Sequence, residues 1–152
     1  MKNGQTPFNY MKKKVLVLCT GNSCRSQIAH GYLDIFLGDQ ADVYSAGVET
    51  HGVNPLAIAT MKEDGIDISA HTSNNVSEYK SVQFDYIITV CDHANERCPV
   101  FPSTATKLHQ NFPDPAKATG SPDEIKIEFS RVRELIKNYC AQFKLKYFES
   151  MN

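Results

Sequence analysis

The sequence predicts an α/β domain in which a four-stranded parallel sheet carries helices on both faces. Apolar runs of strand length occupy residues 14–18, 42–45, 86–90 and, more weakly, 106–108. Helical patterns alternate with them at 26–37, 55–63, 76–80 and 122–146, and that alternation is the signature of a parallel sheet. Turn residues separate the segments at Gly38-Asp39, Gly52 to Pro55, Gly65 and Pro113 to Pro115.

The first strand, Val15-Leu16-Val17-Leu18, breaks at a cysteine, and residues 18–27 read Leu-Cys-Thr-Gly-Asn-Ser-Cys-Arg-Ser-Gln. A helical pattern starts at Ser26-Gln27-Ile28-Ala29. A strand, a thiol, a short loop, an arginine and a helix start can hold a tetrahedral oxyanion against a thiolate. A turn at Gly21 would aim successive N–H groups inward, the helix start adds its positive dipole end, and Arg25 offers a planar fork of donors. The same positive field favours the ionised form of Cys19, since helix starts and nearby cations pull a thiol down from ~8.5. A lone cysteine in such a turn would be read as merely buried, but the joint pattern makes that the weaker reading. Thr20, Gly21, Asn22, Ser23, Cys24, Arg25 and Ser26 are therefore assigned to oxyanion binding and Cys19 to nucleophilic attack.

The third strand, Tyr86-Ile87-Ile88-Thr89-Val90, also runs into a cysteine. Ligands of parallel sheets collect beyond the carboxyl ends of the strands, so Cys19 and Cys91 should emerge on one rim. Residues 91–99 read Cys-Asp-His-Ala-Asn-Glu-Arg-Cys-Pro. In a rigid helix seven residues rise ~10.5 Å, whereas a disulfide needs Cα atoms within ~7 Å. Pairing of Cys91 with Cys98 would thus require this polar segment to unwind, which costs little where few apolar contacts are lost. Buried structural thiols and a zinc site built from Cys19, Cys24, Cys91 and Cys98 are the alternatives. Zinc is disfavoured because its structural sites use tightly spaced cysteine pairs.

The last helix places Ile125, Phe129, Val132, Ile136, Tyr139 and Phe143 three or four residues apart, a core-facing stripe. Cys140 lies beside it without nearby positive charge and reads as a spectator.

At 152 residues, 41% hydrophobic and 22% charged, the chain reads as one ordinary globular domain. Residues 1–11 read as a disordered leader and 12–148 as the domain, with Met11 an alternative start. A net charge of −1 gives no electrostatic case for a nucleic-acid or membrane partner. The four-residue apolar run after Lys14 is too short for a signal peptide, so the expected location is the cytoplasm, where five cysteines are not a permanent disulfide framework.

The stretch Cys19 to Ser26 resembles the Cys-(x)5-Arg-Ser phosphate loop of the low-molecular-weight protein tyrosine phosphatases. CTGNSCRSQ at 19–27, YSAGVETHGVNP at 44–55, IDIS at 66–69, HTS at 71–73, CDHANERCP at 91–99, DPA at 114–116 and FSRVRELI at 129–136 together resemble one branch of that fold, the thioredoxin-coupled arsenate reductases. The likeness spans nearly all of 14–146 and implies a phosphatase I-like sheet of order 2-1-3-4. It implies that Cys19 attacks arsenate under the Arg25 clamp, that Asn22 and Ser26 orient the loop and hydrogen-bond the thiolate, and that Asp114 is the general acid. Cys91 and Cys98 then complete a three-thiol relay that ends on thioredoxin, or on glutaredoxin as in some relatives. His71 matches a position that tunes the nucleophile, and Cys24 and Cys140 are spectators.

Some relatives hold potassium with an asparagine, a glutamate, a serine and an aspartate. The matching residues here are Asn22, His30, Ser45 and Asn74. Both carboxylates are missing, so no potassium site, no metal and no tightly bound cofactor are expected. Ala116 stands where the phosphatases place an aromatic that grips a phenyl ring, which favours a small inorganic substrate, arsenate, with phosphate and sulfate as competitors. The rival readings are a phosphatase, which needs Cys19, Arg25 and Asp114 alone, and a non-catalytic oxyanion-binding regulator. A monomer is expected.

Overall fold

The computed structural model describes residues 12–98 and 104–149; the expected leader at 1–11 lies outside them. The elements run β1 (Lys13–Cys19), α1 (Arg25–Leu37), β2 (Ala41–Gly47), α2 (Pro55–Glu63), β3 (Tyr86–Thr89), α3 (Asp92–Glu96), β4 (Thr106–His109) and α4 (Pro122–Lys144). All strand pairs are parallel and the order is β2-β1-β3-β4, as expected. β1 lies at the centre, and Val15, Leu16, Val17 and Leu18 are all fully buried. A strand can be apolar without alternation only where both faces of its sheet are covered.

The parallel register aligns the carboxyl ends of three strands. Cys19 pairs with Gly47, Leu18 pairs with Thr89, and the Val90 N–H donates to the Leu18 carbonyl at 2.9 Å. The segment after β4 continues this zipper, with the Phe112 N–H on the Val90 carbonyl at 3.0 Å. Cys19, Cys91 and the Phe112–Asp114 segment are thereby brought to one rim.

The helices pack as their patterns require. In α4, Phe129, Val132, Ile136, Cys140 and Phe143 are buried against α1 and α2. Cys140 takes the buried place and Tyr139 stays half-buried, with its ring edge-on to Phe112. Ser121 and Glu124 form a capping box at the start of α4, and Asn54 caps α2 ahead of Pro55.

Two expectations are corrected. Residues 76–80 form no α-helix; a single 3-10 turn, Val76–Tyr79, is closed by an Asn75/Glu78 capping box and buries Val76 alone. The last helix stops at Lys144 and widens into a π turn, Leu145–Glu149. There Tyr147 and Phe148 reach the ring of Tyr86 with centroids at 5.1 and 5.7 Å, which draws the turn onto the start of β3. α3 was not anticipated as an element. It is five residues long and polar, too short to carry a hydrophobic period.

Candidate active site

The loop between β1 and α1 is held from outside by its carbonyls. N–H groups of Val48, Glu49, His51 and Asn54 donate to the carbonyls of Cys19, Thr20, Gly21 and Ser23 at 2.9–3.3 Å. Gln27 Nε2 donates to the Asn22 carbonyl at 3.1 Å. Because a trans peptide points its C=O and N–H in opposite directions, the N–H groups that follow turn back toward the concave side. Cys24 makes no side-chain cap on α1, so the first N–H groups of that helix also remain available to an anion.

The left-handed residue of the loop is Asn22, with φ 50°, rather than the expected Gly21. Asparagine tolerates this region, and its buried side chain fixes the turn: Oδ1 accepts from the Asn74 N–H at 2.8 Å, and Nδ2 donates to Ser26 Oγ at 2.7 Å. Gly21 is required for space instead, since a Cβ there would run into the ring of His51.

Arg25 crosses the mouth of the loop. Its Nη1 donates to the Phe112 carbonyl at 3.0 Å, and its Nη2 lies 3.6 Å from Asp114 Oδ2. Its Nε is the only buried side-chain nitrogen or oxygen among the described residues without a hydrogen-bond partner. An orphaned buried donor costs ~1–3 kcal/mol, more when charged, and an oxyanion in the loop would relieve it. Asp114 is held by its own turn, accepting from the Ala116 N–H at 3.0 Å. The cleft has a volume of about 260 Å³ and is lined by Cys19, Cys24, Arg25, His51, Asp114, Ala116 and Lys117 among others.

Cys19 and Cys91 form a buried, hydrogen-bonded thiol pair that carries one proton. Within the pair Cys91 is drawn below the ordinary thiol range, first by the hydrogen bond with Cys19 and then by the Thr20 hydroxyl at 3.1 Å, the Ala94 N–H at 3.4 Å and Arg25. Cys19 is pushed above the ordinary thiol range by that bond and by burial, against the pull of Arg25. The shift at Cys19 runs opposite to the one the positive field alone would give, because burial and the Cys91 sulfur oppose Arg25.

The other predicted residues are more dispersed. Cys98 is half-buried and lines a separate cleft with Thr89, Asn95, Lys107 and His109, so the structure does not bring it to the Cys19–Cys91 pair. Cys24 is buried at the cleft wall, its thiol pushed up to about 11 by burial and then by Asp114. Cys140 is buried under α1 and pushed up by burial; its Sγ lies 3.8 Å from the Ala29 carbonyl. His71 does not reach Cys19. Its Nδ1 meets Gln27 Oε1 at 2.9 Å, so it touches the loop only through Gln27.

Residues 14–151 match the family model described as low molecular weight phosphotyrosine protein phosphatase. The chain belongs to that family. It is 50% identical over 125 residues to an arsenate reductase of Halalkalibacterium halodurans, a likeness covering 82% of this chain and 90% of that one. A solved arsenate reductase in its oxidised state superposes with a TM-score of 0.75 at 30% identity, over 88% of this chain and 98% of that one. Another, in a phosphate-binding state, gives 0.64 at 32% identity, over 86% and 98%.

Seen as a phosphatase-family loop, the site has a supporting ring that the sequence reading missed. His51, bonded through Nε2 to Glu49 Oε1 at 2.7 Å, roofs Gly21. Gln27 donates to both the Asn22 and Thr72 carbonyls, and Ser73 Oγ donates to the Gly21 carbonyl at 3.0 Å. No local sequence signal marks these residues, because their partners lie up to 52 positions away.

Proposed function

We propose that the protein reduces arsenate to arsenite with Cys19, Cys91 and Cys98 as a thiol relay regenerated by thioredoxin. What supports this reading is the second thiol, Cys91, buried against Cys19 and hydrogen-bonded to Thr20 of the oxyanion loop. Hydrolysis of a phosphate ester has no use for a second nucleophile there, and a passive binder has no use for either thiol. The cleft also presents Ala116 and Lys117 to the incoming group, and no Phe, Tyr or Trp among the described residues.

Arsenate would bind in the loop with its oxygens on the inward N–H groups and Arg25, satisfying Nε. Cys19 passes its proton to a bound arsenate oxygen and its sulfur attacks arsenic, while Asp114 protonates the departing hydroxide to water. The Cys91 thiolate then attacks Cys19 Sγ. A sulfur–sulfur bond forms, the sulfur–arsenic bond breaks, and its electron pair remains on arsenic, taking it from the +5 to the +3 state as arsenite leaves. Cys98 next attacks Cys91, frees Cys19 and moves the disulfide to Cys91–Cys98. A dithiol reductant of the thioredoxin class, with glutaredoxin as the competing donor, returns both sulfurs to thiols. The enzyme works as a monomer in the cytoplasm without a tightly bound cofactor. Among the described residues no helix is long and apolar enough to cross a membrane.

Cys91→Ser and Cys98→Ser test this reading. Both should lose multiple-turnover arsenate reduction and keep slow hydrolysis of an aryl phosphate through Cys19. Full reductase turnover by either variant would overturn the relay.

A further inference from the structure

On the far side of Gln27 from the anion loop, His30, Asp34 and His71 bring one ligand atom each to within 4.8 Å of one another. His30 and Asp34 stand four residues apart on one face of α1, with His30 Nε2 and Asp34 Oδ2 at 3.4 Å. His71 comes from the segment after α2, and its ring centroid lies 4.4 Å from that of His30.

The hydrogen bonds around the two rings leave an Nε2 of each facing the cluster. The Gln27 amide nitrogen donates to the carbonyls of Asn22 and Thr72, which leaves Oε1 to face His71. His71 Nδ1 must then carry the hydrogen, and its Nε2 keeps a lone pair. His30 Nδ1 is likewise engaged by Ser45 Oγ at 2.8 Å, leaving its Nε2 for Asp34 and a ligand. An oxygen partner on one ring nitrogen, fixing the tautomer for the other, is the usual support of a ligating imidazole.

We infer that His30, Asp34 and His71 form a binding site for one divalent transition ion of the zinc class. Two imidazoles and a carboxylate suit a borderline ion and not potassium, and tetrahedral Zn–N bonds near ~2.0–2.1 Å need only small side-chain rotations from the present spacing. Asp34 is exposed, so water completes the coordination. The ion would clamp α1 to residues 71–74, whose Asn74 N–H and Ser73 hydroxyl hold the anion loop at Asn22 and Gly21. Reading the sequence alone gives no metal here, because His71 lies 41 positions from His30.

Zinc titration tests this on the full chain with Cys19, Cys91 and Cys98 replaced by Ser, which removes the competing reactive thiols. The expected result is one zinc ion per chain by calorimetry, a rise in Tm on binding, and affinity reduced roughly tenfold or more in both Asp34→Asn and His71→Ala. Asp34 is exposed, so its variant keeps the fold if His71→Ala does not. Absence of zinc binding in the Ser-substituted chain would overturn the site, as would unchanged affinity in Asp34→Asn.

Discussion

Thr20 links the two halves of the chemistry, since its backbone belongs to the oxyanion loop and its hydroxyl lies 3.1 Å from the Cys91 sulfur. Cys91 is drawn below the ordinary thiol range, so its alkylation by iodoacetamide should level off at a lower pH than that of an ordinary thiol. Thr20→Val removes one charge-assisted donor worth ~1.5–3 kcal/mol and should move this profile up by about one pH unit or more. An alkylation rate in the wild type that keeps climbing from pH 7 to 9, as an ordinary thiol's does, would contradict this lowering at Cys91. Arg25 offers a second residue-level test. Arg25→Lys keeps the positive charge and loses the fork that spans Phe112, Asp114 and the anion, so kcat/KM for arsenate should fall by roughly 100-fold. A loss below about threefold would mean that Arg25 supplies charge alone.

Among the elements, α3 is the one that must give way for Cys98 to reach Cys91. It buries Ala94 alone and is tied down by polar contacts: Asp92 to His109 at 2.6 Å, the Asp92 N–H to Asn111 Oδ1 at 3.0 Å, and the Ala94 N–H to Cys91. Native-state hydrogen exchange should therefore find the α3 amides opening far more readily than those of α1 or α4. Equal protection in all three helices would count against an unwinding step. α4 is the opposite case, and Ser121→Ala, which breaks its capping box, should cost ~1 kcal/mol in urea denaturation without changing turnover. The contrast also explains what could be read from the chain. β1 and α4 were legible because a continuous apolar run and a stripe at helical spacing each have one good structural solution. α3 was not, because five polar residues carry no period. The loop was legible as an oxyanion site because its parts are contiguous, whereas its true left-handed residue, Asn22, depends on Asn74 and Ser26 closing around it. The environment of Cys91 was hidden for a similar reason: its hydroxyl partner, Thr20, is 71 positions away.

At the scale of the molecule, the parallel register makes a phosphatase-family loop into the start of an electron path. Aligning the ends of β1 and β3 puts Cys91 against Cys19, and the short helix after it carries Cys98 to another cleft. The proposed relay thus has one sulfur pair in place and one that a local rearrangement would have to make. The most direct test is to treat the fully reduced protein with one equivalent of arsenate, without external reductant, and to map its thiols by mass spectrometry. The account predicts loss of two hydrogens, with the disulfide at Cys91–Cys98 in the wild type and at Cys19–Cys91 in Cys98→Ser. Retention of all thiols while arsenite appears, or a disulfide that excludes Cys91, would contradict it.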